Sequence, residues 1–155
     1  MIYKIFIAVV LFVFIALPAA AADSQLASLK LVLENNQINI VVDSGDQSIN
    51  AVGVIIDYDP AKAKIRDLDF TQSFCELFIE KIIDTRKGQI RILCGKPNPG
   101  LLGLGIVGSI RLTKIYPNAQ FNFNSETQVL ANDGLGTNVL GSVQRIDFSK
   151  TGIYH

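Results

Sequence analysis

Short apolar runs, alternating with polar residues and broken every few positions by turn signals, constrain this chain more than any other feature. That rhythm belongs to a sandwich or barrel built of many short strands. Segment 28–33 (SLKLVL) alternates, and so does 37–42 (QINIVV), with Asn35 and Asn36 between them as turn residues. A loop follows at Asp43, Ser44, Gly45 and Asp46. Segment 50–58 (NAVGVIIDY) is a longer strand, stopped by Asp59 and Pro60. Proline cannot donate to a ladder, and it holds the residue before it extended.

Further strands are expected at 65–70 and 89–94. Segment 74–83 (FCELFIEKII) also fits a helical face through Phe74, Leu77 and Phe78, but the turn at 84–88 makes a hairpin the better reading. Strands at 106–115, 119–123, 127–131 and 143–148 close the series. About nine strands with no convincing helix predict an all-β, two-layer antiparallel sandwich. There is no internal repeat.

The N-terminus has a different character. Lys4 precedes an apolar run from Ile5 to Leu17, then Pro18 and a string of alanines ending at Ala22. The run is short for a bilayer span, which takes about 20 apolar residues. With small residues after it, the segment reads as an export signal covering residues 1–22 and cut after Ala22. The alternative is an uncleaved anchor, the only membrane contact the sequence offers. Residues 23–155 then form one exported domain, secreted or at the cell surface, with Asp23 first. In that setting an even pair of cysteines, Cys75 and Cys94, reads as a disulfide. The 14 basic and 14 acidic side chains balance, which argues against nucleic acid as a partner.

No enzyme chemistry assembles from these residues. The one histidine, His155, is the last residue, so no base is placed to activate a serine. Gly100, Gly103 and Gly105 are spaced like a phosphate loop, but a β-branched strand follows where a helix N-terminus is needed. They read instead as a flexible loop, with Gly105 and Gly108 flanking a bulge. Asp57 with Asp59, and Asp67 with Asp69, sit at strand ends, where solvated carboxylates are common. No cofactor is expected. Calcium ligation by Asp43, Asp46, Asp57, Asp59, Asn132 and Asp133 is outweighed by ordinary turn chemistry, since no EF-hand spacing is present. Sugar stacking needs exposed rings. The exported part has no Trp and only Tyr58, Tyr116 and Tyr154, while Phe121 and Phe123 alternate with Asn122 and Asn124 like core residues.

One order of features resembles a known family. A strand ends in Asp57-Tyr58-Asp59-Pro60; segments 65–70 and 88–92 (GQIRI) follow; then come a Pro/Gly loop, 105–112, a Phe-containing strand and 129–139 (VLANDGLGTNV). This is similar to the cohesin family, sandwich domains related to bacterial carbohydrate-binding modules of families 2 and 3. The resemblance implies a jelly-roll and a non-catalytic module. In cellulosomes the family binds a calcium-loaded, helical dockerin on the outer face of one sheet.

Alternation carries that face over as Ala51, Gly53 and Ile55 on one strand and Arg91, Leu93 and Gly95 on another. Ile55 and Leu93 would supply its apolar contact. The chain departs from the family at Ala51 and Gly53, where dockerin-binding members commonly carry polar residues, and in its cysteine pair. The expected function is therefore adhesion or scaffolding through a dockerin-like protein. Polysaccharide binding, or a structural surface domain without a ligand, is the alternative.

Overall fold

A computed structural model describes residues 25–148. The export signal, its cleavage point, Tyr154 and His155 lie outside the described residues. Eleven strands occur among them: β1 Ala27–Glu34, β2 Gln37–Asp43, β3 Ile49–Tyr58, β4 Ala63–Asp69, β5 Leu77–Asp84, β6 Gln89–Gly95, β7 Leu104–Ile115, β8 Gln120–Phe123, β9 Gln128–Ala131, β10 Leu140–Gln144 and β11 Ile146–Asp147.

They form two stacked sheets. One has the order β10-β1-β2-β7-β4; the other is β11-β8-β3-β6-β5, with β9 also on β3. The jelly-roll sandwich is thus present. Alternation decides which side chains face between the layers. Ile38, Ile40 and Val42 of β2, Val52, Val54 and Ile56 of β3, and Ile90 and Ile92 of β6 are buried there. Phe121 fills one end, stacked on Tyr58 at 5.6 Å and edge-on to Phe148 at 6.2 Å.

Local chemistry sets the turns. Asn35 and Asn36 have φ of 47° and 65°, the pair of positive angles that a two-residue hairpin needs to match strand twist. Asp84 closes the β5–β6 turn by accepting the backbone N–H groups of Arg86 and Lys87, each at 3.0 Å. Gly88 ends that turn at φ 67°, and a Cβ there would lie 2.2 Å from the Tyr58 carbonyl oxygen. The bulge anticipated between Gly105 and Gly108 occurs there: Ile40 pairs with Gly108 and Val41 with Ile106, leaving Val107 as the extra residue. Gly108 is required by the Phe70 ring, 2.7 Å from where its Cβ would sit.

Three expectations need correction. The last segment, 143–148, is not one strand. It divides at Arg145 into β10 and β11, which join opposite sheets. Nor is the sandwich wholly antiparallel, because β10 runs parallel to β1. The strand expected from Phe74 starts only at Leu77. Before it, residues 73–76 are held by other bonds. Phe74 N–H donates to the Ile106 carbonyl at 2.8 Å, and Ser73 Oγ to the Val107 carbonyl at 2.7 Å.

Cys75 and Cys94 form a disulfide across this connection, with Cα atoms 5.8 Å apart and a separation of 19 positions in sequence. Closing a loop of that length in the unfolded chain is worth about 3 kcal/mol. Each fully buried Ile, Leu or Val contributes about 1.5–3 kcal/mol. One or two core residues therefore match the cross-link, which trims the ensemble rather than creating the fold. Replacing both cysteines by serine is expected to leave the β-type circular dichroism intact and lower stability by about 3 kcal/mol in urea titrations. An unchanged midpoint would remove the cross-link from this account.

Candidate functional site

The outer face of the β3–β6–β5 layer gathers all six residues that alternation assigned to a binding face. Pairing puts them in three rows. Ala51 lies opposite Gly95, and Gly95 opposite Leu77; Gly53 lies opposite Leu93, and Leu93 opposite Glu80; Ile55 lies opposite Arg91, and Arg91 opposite Ile82. Gly53 and Gly95 leave the sheet surface low between these side chains.

The apolar character of the face does not come from Ile55, and here the sequence expectation is corrected. Ile55 points outward in register but is only 8% exposed. The segment between β8 and β9, residues 124–127, is bonded to its backbone along the edge of β3 as a strap. Asn124 N–H donates to the Ile55 carbonyl at 2.8 Å. Thr127 Oγ1 accepts the Ile55 N–H at 3.1 Å and donates to the Ile55 carbonyl at 3.0 Å. Asp57 fixes the start of the strap, accepting Asn124 Nδ2 at 2.7 Å and Gln89 Nε2 at 2.9 Å.

The exposed apolar contribution comes from β5. Leu77, Ile79 and Ile82 are 60%, 80% and 46% exposed, beside half-buried Leu93. Together with Ala51, Gly95 and Pro97, the first two and Leu93 line a shallow depression of about 230 Å³. A register shift between Phe78 and Glu80 makes Ile79 the extra residue of a bulge. That bulge explains why simple alternation missed it. The available signal was that β5 carries apolar residues at both parities, Leu77-Phe78-Ile79 and Ile82-Ile83, more than one face can bury.

β5 is an edge strand, but it is poorly suited to pairing with its own copy. A two-fold antiparallel contact centred on Glu80 or Lys81 would set like charges opposite each other, and the bulge interrupts the ladder. Lys81 is also engaged elsewhere, its Nζ 5.0 Å from the Phe78 ring centre and 5.5 Å from that of Phe70. What remains available is the face.

Beside the apolar patch, Arg91 is gripped by Glu80, Nε to Oε1 at 2.8 Å and Nη2 to Oε2 at 3.4 Å. That hydrogen-bonded pairing raises the Arg91 pKa, with the charge of Glu126 adding to it. A groove of about 270 Å³ opens between the strap and β6, lined by Gly53, Ile55, Leu93, Glu126 and Gln128.

Carboxylates elsewhere are committed to structure. Asp67 is held below its ordinary pKa chiefly by its hydrogen bonds from Arg111, with Nη2 to Oδ2 at 3.0 Å. Asp69 is lowered by the Thr71 backbone N–H it accepts. Among the candidate calcium ligands, Asp43 accepts Gly45 N–H, Asp46 accepts Gln25 N–H, Asp59 accepts Ala61 N–H and Asp133 accepts Leu135 N–H. No group of three or more His, Cys, Asp or Glu among the described residues is arranged to hold a metal ion. Gly100 and Gly103 lead into strand β7, and Gly105 lies within it. Among the described residues no aromatic side chain is exposed: Tyr58 and Phe121 are buried, Phe123 packs on the core, and Tyr116 is half-buried under Lys114.

No protein-family model matches the sequence, and a search of curated proteins finds no match. Solved structures do resemble it. The solution structure of the cohesin CaCohA2 from Clostridium acetobutylicum superposes with a TM-score of 0.62 at 12% identity, covering 83% of this chain and 94% of that one. A non-cellulosomal cohesin from the archaeon Archaeoglobus fulgidus gives 0.58 at 14% identity, covering 79% and 91%. The OlpA cohesin of Clostridium thermocellum, solved in a type I complex with its dockerin, gives 0.60 at 12% identity, covering 79% and 99%. The fold is therefore that of the cohesin domains.

The Thr127 hydroxyl is expected to decide whether the strap stays down. Thr127→Val keeps the shape but leaves the Ile55 N–H without its partner, which costs about 1–3 kcal/mol for a buried group. Urea titration should show that loss, and amide exchange at Ile55 should quicken. A variant as stable as the parent would mean the strap is not latched at this point.

Proposed function

We propose that this chain is an exported, non-catalytic protein-binding module that takes a dockerin-type helical partner on the outer face of β3, β6 and β5. The observation that carries the reading is the placement of Leu77, Ile79, Ile82 and Leu93 side by side on a low, glycine-bearing sheet face. Contiguous exposed apolar surface of this kind marks an interaction site. Helices dock on such surfaces through apolar residues spaced along one side. The cohesin-type fold supports the partner class, since related folds are solved with dockerins bound. Export is supported by the sequence of residues 1–22 and by the pairing of both cysteines, which favours an oxidising compartment.

Adhesion or scaffolding follows from binding without chemistry. The polysaccharide alternative finds no exposed ring among the described residues on which a sugar would stack.

The exported protein, immobilised and exposed to secreted proteins of its source, is expected to retain one partner in stoichiometric amount with calcium and release it to chelator. Leu77→Asp with Ile79→Asp should abolish capture while leaving the melting temperature within a few degrees, because both side chains are exposed. Leu93→Asp should weaken it. No capture, or capture that survives the double variant, would overturn the reading.

A further inference from the structure

We infer that the groove between the strap and β6 is a socket for one basic side chain of the docking partner, a lysine or arginine entering beside the apolar patch. The inference rests on the face being a docking surface and specifies what the partner must present there. The floor is apolar and low: Gly53 contributes no side chain, Ile55 is buried, and a Leu93 methyl and the Gln128 stem form the walls. The rim is acidic. Glu80 is neutralised by Arg91, whereas Glu126 is exposed and forms no ion pair among the described residues.

One carboxylate in excess over an apolar slot of about 270 Å³ matches a long aliphatic stem ending in a cation. An acidic side chain would be a third carboxylate beside Glu80 and Glu126, with Arg91 alone to offset them. A purely apolar one would leave the Glu126 carboxylate and the Gln128 amide facing it without a partner. Arginine has the further advantage of a planar fork that can bridge a carboxylate and an amide oxygen.

The socket can be probed without the partner. The ¹⁵N-labelled exported protein is titrated with arginine and lysine blocked at both ends as acetyl and N-methylamide derivatives, with blocked norleucine as the uncharged control. Saturable shifts are expected at the Gly53, Arg91, Leu93 and Gln128 amides with the two basic probes, and weaker, unsaturated ones with norleucine. Glu126→Gln should weaken the basic probes about fivefold, the upper range for an exposed ion pair.

Gly53→Ala is a second variant. Its new methyl would sit 3.4 Å from the Gln128 side chain and 3.6 Å from Leu93, ordinary contact distances, so it fills the slot without straining the strand. It should weaken all three probes alike. Equal shifts from norleucine and arginine, or no response to Glu126→Gln, would overturn the socket. If that happens while calcium-dependent capture through Leu77 and Ile79 persists, the socket alone is rejected. If the titration succeeds and capture fails, the docking surface is rejected and the basic-side-chain site stands.

Discussion

Everything in this molecule is hung on strand β3 and on the need to satisfy both of its edges while burying one of its faces. Along one edge it pairs with β6 for its whole middle, from Ala51 to Asp57. Along the other it is served in succession by β9, from Ile49 to Gly53, and by β8, from Ile56 to Tyr58. Two short strands on one edge leave a gap between them, and buried backbone groups in such a gap are costly unless paired. At Ile55 the gap is closed by Asn124 and Thr127. The strap is therefore a consequence of the pairing scheme. Its position beside Ile55 in turn sets Glu126 at the groove that Leu93 lines.

The same constraint fixes the chemistry of the outer face. With Val52, Val54 and Ile56 committed inward, Ala51, Gly53 and Ile55 must face out. Two of the three are too small to form a surface of their own. The surface is then supplied from the edge strand β5, whose bulge at Ile79 adds an outward apolar residue that regular pleating would not provide. The disulfide stands at this corner: Cys94 lies inward on β6 opposite Phe78, and Cys75 ties the segment leading into β5 to it. It thus steadies the start of the strand that carries Leu77 and Ile79.

Much of this was legible in the residues because period-2 alternation translates directly into burial. The inward sets of β2, β3 and β6, the Asn35-Asn36 hairpin, the stop at Asp59-Pro60 and the cysteine pair all follow from local rules. The six face residues followed from the same alternation, given that the sheet was correctly identified. What escaped were features set by tertiary pairing. Nothing within 143–148 tells that its two halves belong to different sheets, because each half is only a few residues long and pairs with distant partners, β1 and β8. Ile55 reads as exposed because a residue's own strand cannot report a strap more than sixty positions away. Leu77 and Ile79 were hidden by the bulge, which breaks the alternation that would have flagged them.

On the proposed function, one sheet face meets a protein and the opposite one does not. Its most direct test is photo-crosslinking in the producing cells, with benzoylphenylalanine placed at Ile79 on the β5 side or at Lys30, exposed on the outer face of the other sheet. One discrete adduct is expected from position 79 and none from position 30. Adducts of equal yield from both positions, or from neither, would contradict it.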